Sequence, residues 1–451
     1  MKNFFKIIVS RVAISILLCS LIIYPSPAKA QDSLKVVQDT EIENFIQELM
    51  APIFLAANVA PKSVKIYVIN NTAANAFVYN GQNIFIHTGL ITDADSIDEI
   101  VGVLAHELGH ITAGHLSRGA ITQSTTNTLI LMGLAALIIG GASMAGSGGG
   151  NGAFDIIGFL AYSAQNIAIN RALNYSRAEE SQADQIGASY MATTNYSLEG
   201  FARFMKKIYA KENKEIYNAP IYTWYATHPL TLTRINFIEN FAKQHQTPKT
   251  PNIKLIEDFL KIKAKIIAYT LSYKETYLLY GNNSKPDGLY AKAVAEYKQE
   301  NYKAAISYLD KLLLIENNNL YILEMLGDIY FSEQNYISAI ENYNKVKNQN
   351  LTDIITIKLA RAYYIQNDFT ASLKNINIAL QINPNSPASW HIKSLILGRI
   401  NDEGGANLAM AEKYFILQDK RQANYFAERA LSYLTPNSTM WLAAKDIISS
   451  K

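Results

Sequence analysis

The sequence predicts a mainly α protein: a helical domain with one small β-sheet and a metal-binding helix, followed by an α-solenoid. Three observations carry this. The β-rich runs are confined to residues 64–89, whereas apolar spacing elsewhere is helical. His106 and His110 stand four residues apart, so on a helix they share one face. From residue 289 onward, a pattern of small and apolar residues returns about every 33 residues.

Composition narrows the class. Apolar residues make up 49% of the 451 and charged ones 18%, which excludes wholesale disorder. A formal charge of +3, with no Lys/Arg cluster, predicts no nucleic-acid partner. At the start, Lys2, Lys6 and Arg11 precede an apolar run over 12–24, and Ala28-x-Ala30 supplies small residues for cleavage. Residues 1–30 therefore read as an export signal, with a mature start near Gln31. The only cysteine, Cys19, lies inside that signal and follows the bulky Leu18, which argues against lipidation. A mature chain without cysteine has to rely on its core and on metal.

Residues 39–60 have the apolar spacing of an amphipathic helix. Strand-like runs follow at 64–69, 76–79 and 83–87, the last two flanking the hairpin signal Asn80-Gly81, and Gly89 closes the sheet. His87 reads as a solvated or packed strand histidine rather than a metal ligand. The strand at 83–87 is expected to pair with an extended substrate by edge addition. Ser96 and Glu99 fit a capping box ahead of the motif helix, and Ile100, Val103, Leu104 and Leu108 form its buried stripe. His115 falls about 140° round that helix from His110 at 100° per residue, so it is not expected to share the metal.

Residues 128–142 and 153–168 are apolar stretches separated by a glycine-rich break, each short of the ~20 residues that span a bilayer. They read as buried or membrane-surface helices, with a transmembrane hairpin as the competing reading. Residues 171–191 form a polar helix on which Glu180 and Asp184 share a face. That face is either a third zinc ligand with a carboxylate orienting a histidine, or simply solvated. His228 sits in a loop before Pro229, which is expected to open the next helix, and Arg234 follows.

A helix over 252–280 leads to a Gly/Asn/Pro linker at 281–288. Beyond it, Ala305-Ile-Ser-Tyr-Leu and Ala339-Ile-Glu-Asn-Tyr recur 34 residues apart, and Leu326-Gly-Asp-Ile-Tyr and Leu359-Ala-Arg-Ala-Tyr 33 apart. Paired helices with small alanines at their crossings and Pro384 and Pro436 at turns give tetratricopeptide repeats over 289–451. Four units are expected, with an irregular stretch around residues 402–405. Such arrays present a concave binding face.

His106-Glu107-x-x-His110 is the zinc-protease pattern: two imidazoles for one ion, with a glutamate beside them for proton transfer. Together with Ser176-Arg-x-x-Glu180-x-x-Ala-Asp184 and His228-Pro229, it resembles the zinc peptidases that include HtpX and the CAAX prenyl-protein proteases. With an export signal in front and repeats behind, the chain resembles their periplasmic β-barrel assembly-enhancing branch. The resemblance implies a zincin-type metallopeptidase domain over 31–280 with one Zn2+ held by His106, His110 and Glu180. It also implies that Asp184 supports a ligand from behind and that Glu107 is the general base. His228 and Arg234 are the candidates for stabilising the oxyanion, or His228 closes the open metal position.

The implied activity is hydrolysis of misfolded or misassembled envelope proteins, chiefly outer-membrane β-barrels, in the periplasm. Repeat-mediated docking to the outer-membrane assembly machinery and peripheral membrane contact are the implied partners. The alternatives are a chaperone or adaptor with residual proteolysis, and an integral-membrane zinc protease.

Overall fold

The fold is seen in a computed structural model that describes residues 35–37, 39–79, 82–115, 175–214, 224, 228–245 and 250–450. The segment read as an export signal and the apolar stretches at 128–142 and 153–168 lie outside these residues.

A short strand, β1 (Lys35–Val37), precedes helix α1 (Thr40–Ala56), whose start is capped by the Asp39 side chain on the amides of Glu41 and Ile42. Strands β2 (Lys65–Asn70), β3 (Ala76–Tyr79) and β4 (Asn83–His87) complete a four-stranded sheet in the order β1-β2-β4-β3. The β3–β4 pair is the antiparallel hairpin that the Asn80-Gly81 signal predicts, while β2 and β4 run parallel. β4 thus has a strand on each side, and Ile84, Phe85, Ile86 and His87 are all buried. Its backbone is fully used, so the expectation that 83–87 receives a substrate strand is corrected. Among the described residues the edge nearest the motif helix is β3.

Gly89 lies in the short helix α2 (Thr88–Asp93), packed so tightly that a Cβ there would meet Thr72 O at 2.3 Å. The motif helix is α3 (Ile97–Thr112). Asp98 apart, every residue from Ile97 to His110 is buried, so the helix runs through the core. The capping box expected at Ser96 does not form. Ser96 makes no side-chain cap, and Glu99 Oε2 instead accepts from the Asp95 amide and Lys207 Nζ.

A complete capping box, Ser176 with Glu179, starts helix α4 (Arg177–Ala192). Gly109 of α3 and Gly187 of α4 let the two helices touch backbone to backbone. A Cβ on Gly109 would lie 2.8 Å from Ala183 O, and one on Gly187 2.9 Å from Ala105 O. Helices α5 (Leu198–Lys214) and α6 (Leu232–Gln244) finish the domain. Thr231 caps α6, so that helix begins three residues after Pro229, later than expected.

The helix expected over 252–280 is two helices, α7 (Ile253–Thr270) and α8 (Tyr273–Tyr280), divided at a second capping box, Ser272 with Glu275. One face of α7 (Leu255, Phe259, Ile262, Ile266) belongs to the core of the first domain, and Ala264 and Ala268 belong to the core of the repeats. The expected linker is a short turn that runs into α9 (Pro286–Lys298), paired with α10 (Tyr302–Ile315). The pairs α11 (Leu320–Ser332) and α12 (Tyr336–Gln349), and α13 (Asp353–Ile365) and α14 (Phe369–Ile382), repeat this arrangement. So do α15 (Pro387–Arg399) and α16 (Glu403–Ile416), and finally α17 (Lys420–Leu431) and α18 (Thr439–Ser449). Ala305 and Ala339, the small residues in the repeat, are fully buried.

The stretch expected to be irregular around 402–405 is the start of α16: Asp402 caps the Gly405 amide at 2.8 Å, and Gly404 admits Leu434. Among the described residues no helix is long and apolar enough to cross a membrane.

Candidate metal centre

The close crossing of α3 and α4 sets Glu180 and Asp184 against His106 and His110, and all four are at most 1% exposed. The Nε2 atoms of the two histidines lie 3.1 Å apart. Glu180 Oε2 is 3.5 Å from His106 Nε2, and its Oε1 is 3.4 Å from His110 Nε2. His228 adds Nδ1, 3.4 Å from His106 Nε2 and 2.9 Å from Glu180 Oε1. The four donor groups lie within 4.8 Å of one another.

These spacings match a metal site. Tetrahedral zinc with ligand bonds of about 2.0–2.1 Å has ligand–ligand edges of roughly 3.3 Å. The chemistry agrees, because imidazole and carboxylate donors in a tetrahedral arrangement suit zinc.

The surroundings fix how each donor is presented. His106 Nδ1 lies 2.9 Å from Asp184 Oδ1, so that nitrogen carries the proton and Nε2 keeps its lone pair for the ion. Arg234 grips Asp184 from the far side, with Nε 2.6 Å from Oδ2 and Nη2 2.9 Å from Oδ1. Its Nη1 donates to Pro229 O at 2.9 Å and lies 2.6 Å from Glu180 Oε2. Burial opposes the Asp184 charge, but Arg234 and His106 outweigh it and hold the carboxyl below its usual range. Glu180 is held low in the same way, with His228, His110 and His106 overcoming burial. Burial, with His106 and His228 nearby, pushes the His110 imidazole down to about 2, which keeps it a neutral donor.

Glu107 follows His106 on the same turn of α3, about 100° round the helix, and lies beside the donors. It is fully buried, and Trp224 Nε1 donates to its Oε1 at 3.3 Å. Its Oε2 has no hydrogen-bond partner among the described residues. Burial outweighs the nearby histidines and raises its pKa, which suits a group that takes and returns a proton. His228 is sandwiched between Trp224 and Tyr175, with ring centroids 5.2 and 5.5 Å away, and its Nε2 lies 3.2 Å from Glu107 Oε1. Tyr175 also stacks on His110 at 3.7 Å.

The structure therefore brings together all seven residues singled out from the sequence: His106, Glu107, His110, Glu180, Asp184, His228 and Arg234. His87 stays apart, its Nδ1 bonded to Ala73 O at 3.2 Å. Sequence reading passed over Trp224, Tyr175 and Gln182, and read His115 as remote. Only the position of Tyr175, immediately before the Ser176 cap, offered a signal.

A two-histidine, one-carboxylate zinc site with a buried glutamate beside it defines a zinc metalloendopeptidase. Comparison points the same way: residues 37–242 match peptidase family M48. The chain is 26% identical over 381 residues to the Beta-barrel assembly-enhancing protease of Yersinia pestis, covering 80% of this chain and 73% of that protein. It is 22% identical over 395 residues to the protein of the same name in Escherichia coli (strain K12), covering 85% and 77%. Mitochondrial metalloendopeptidase OMA1 of Schizosaccharomyces pombe is 22% identical over 205 residues, covering 46% and 54%.

Proposed function

We propose that this enzyme works in outer-membrane β-barrel assembly, as a periplasmic endopeptidase that removes misfolded or misassembled envelope proteins. The observation that carries this reading is the extent of similarity. The relatives named for β-barrel assembly align over 80% and 85% of this chain, so they share its repeats as well as its catalytic domain.

Zinc held by His106, His110 and Glu180 would supply the Lewis acid that acidifies a water and polarises the scissile carbonyl. Glu107, steadied at Oε1 by Trp224, keeps Oε2 to accept the proton of the attacking water and return it to the departing amine. Arg234 spends its donors on Asp184, Glu180 and Pro229, so its role in this reading is to clamp the site rather than face the oxyanion. The β3 edge is the place where an extended substrate would pair.

One observation favours a second feature. His228 Nδ1 already stands among the donors, so the chain's own histidine fills the position a substrate needs. His228 then acts as a gate that substrate displaces.

The repeats dock partners in this reading. A cavity of about 1120 Å3 lies between the start of α1 and the array, lined among others by Asp39, Glu43, Tyr321, Asp328 and Lys358.

The deciding experiment measures zinc content together with cleavage of an unfolded outer-membrane barrel protein, with and without chelator. Glu107→Gln should keep zinc and lose at least about 100-fold in rate, and unchanged cleavage would sink the mechanism. If the Glu107→Gln protein relieves envelope defects as well as the parent does, the chaperone or adaptor reading takes over. Failure of carbonate to release the protein from membranes would favour the integral-membrane reading.

A further inference from the structure

We propose that His115 and Gln182 form a positioning relay that fixes the tautomer of His110 and so sets how tightly that side of the site holds zinc. On a continuous α-helix His115 would point well away from His110. The helix ends instead: Thr112 is its last residue, Ala113 caps it, and Gly114 adopts φ 68°, a left-handed conformation that glycine enters without a Cβ penalty. That turn carries His115 back beneath the motif, where it is 3% exposed and its Nδ1 lies 2.8 Å from His110 Nδ1. Its Nε2 lies 3.1 Å from Gln182 Oε1, on the α4 turn that also carries Glu180.

The protons on this chain can be assigned by elimination. A neutral imidazole has one N–H and one lone pair. His110 turns Nε2 toward the other donors, so its proton belongs on Nδ1, and His115 Nδ1 must accept it. His115 then carries its own proton on Nε2 and donates it to the Gln182 carbonyl. Reversing the chain would put the His110 proton on Nε2, facing the donors, and remove that nitrogen as a ligand.

The two ligand histidines are thus supported differently. His106 is backed by a carboxylate, and His110 by a neutral imidazole–amide pair. Partners of this kind typically change metal affinity 10–100-fold when removed.

The test uses the full chain and zinc alone, with affinity read by chelator competition. His115→Phe keeps the ring and removes the acceptor, and zinc affinity should fall about 10–100-fold. His115→Asn, whose side-chain oxygen stands near the former Nδ1, should recover most of it. Gln182→Glu should bind zinc more tightly than the parent, because a carboxylate behind His115 makes His110 a stronger donor. In the metal-free protein, 15N NMR should find His110 protonated at Nδ1, with the Nε2–H tautomer growing in His115→Phe.

Parental affinity in a folded His115→Phe protein would overturn the relay, as would an Asn variant no tighter than Phe. If His115→Phe does not fold, Gln182→Glu decides: tighter zinc supports the relay, and unchanged or weaker zinc overturns it. The inference rests on the zinc assignment, but the two fail separately. A parent chain that holds no zinc sinks that assignment, whereas equal zinc in parent and His115→Phe sinks only the relay.

Discussion

Arg234 holds Asp184 at two points, 2.6 and 2.9 Å, and Asp184 accepts the Nδ1 proton of His106 at 2.9 Å. A planar guanidinium can grip both carboxylate oxygens at once, and an ammonium cannot. Arg234→Lys is therefore expected to lower zinc affinity and kcat about 10–100-fold, read by chelator competition and peptide cleavage. Arg234→Ala leaves a buried carboxylate without its partner and should cost about 3–5 kcal/mol of stability in urea unfolding. Parental zinc affinity in the Lys variant would argue that His106 needs no such support.

His228 lies among the zinc donors and between two aromatic rings. As a gate, its replacement by alanine should raise basal cleavage of an unfolded substrate. A fall in kcat with unchanged KM would instead assign His228 to the oxyanion.

His87, which is not among the metal donors, sets a pH dependence of its own. Burial, only partly offset by the bond to Ala73 O, lowers its pKa from 6.5 to about 4. Below pH 6.5 the unfolded chain takes up a proton that the folded chain refuses until about pH 4, so stability is lost as pH falls through that window. The loss is on the order of 3 kcal/mol. Urea unfolding at pH 7 and pH 4.5 should show a smaller acid penalty for His87→Asn than for the parent. Equal penalties would mean that His87 takes up its proton at the same pH in the folded and unfolded chain.

Lys265 joins the two domains. Its Nζ lies 2.6 Å from Asp39 Oδ2 and 2.9 Å from Glu41 Oε2, and Glu41 Oε2 also accepts from Tyr290 of the first repeat at 2.6 Å. Lys265→Ala leaves the buried Glu41 and the partly buried Asp39 without their shared cation and should lower stability by about 3 kcal/mol. Zinc affinity should stay at the parental value, because none of these groups touches the site. Calorimetry together with chelator competition checks both halves of this prediction.

Much of the site was legible because its chemistry is local. His106 and His110 share a face on spacing alone, and Glu180 and Asp184 do likewise on their own helix. The repeats were legible for a similar reason, since Ala305 and Ala339 recur at the same place in successive helix pairs. The misreadings came where a contact crosses between elements. Ser96 and Glu99 have the spacing of a capping box, but Lys207 from α5 and the Asp95 amide take the glutamate. The strand at 83–87 has the pattern of any strand, and only the parallel neighbour β2 makes it interior.

The sequence by itself determined the zinc-binding helix and the helical array, because each follows from a periodicity within one segment. It put Glu180 and Asp184 on one face, and their part at the metal was implied by the family resemblance. Tertiary structure decided how they combine. It joined α3 to α4 through Gly109 and Gly187, and it turned Arg234 onto Asp184 instead of toward the space between the donors. It also brought His115 back under His110. The physical reason is that a helix angle predicts neighbours only while the helix continues. At Gly114 it stops, and the direction of the next side chain is set by the backbone turn and by what the second helix offers it.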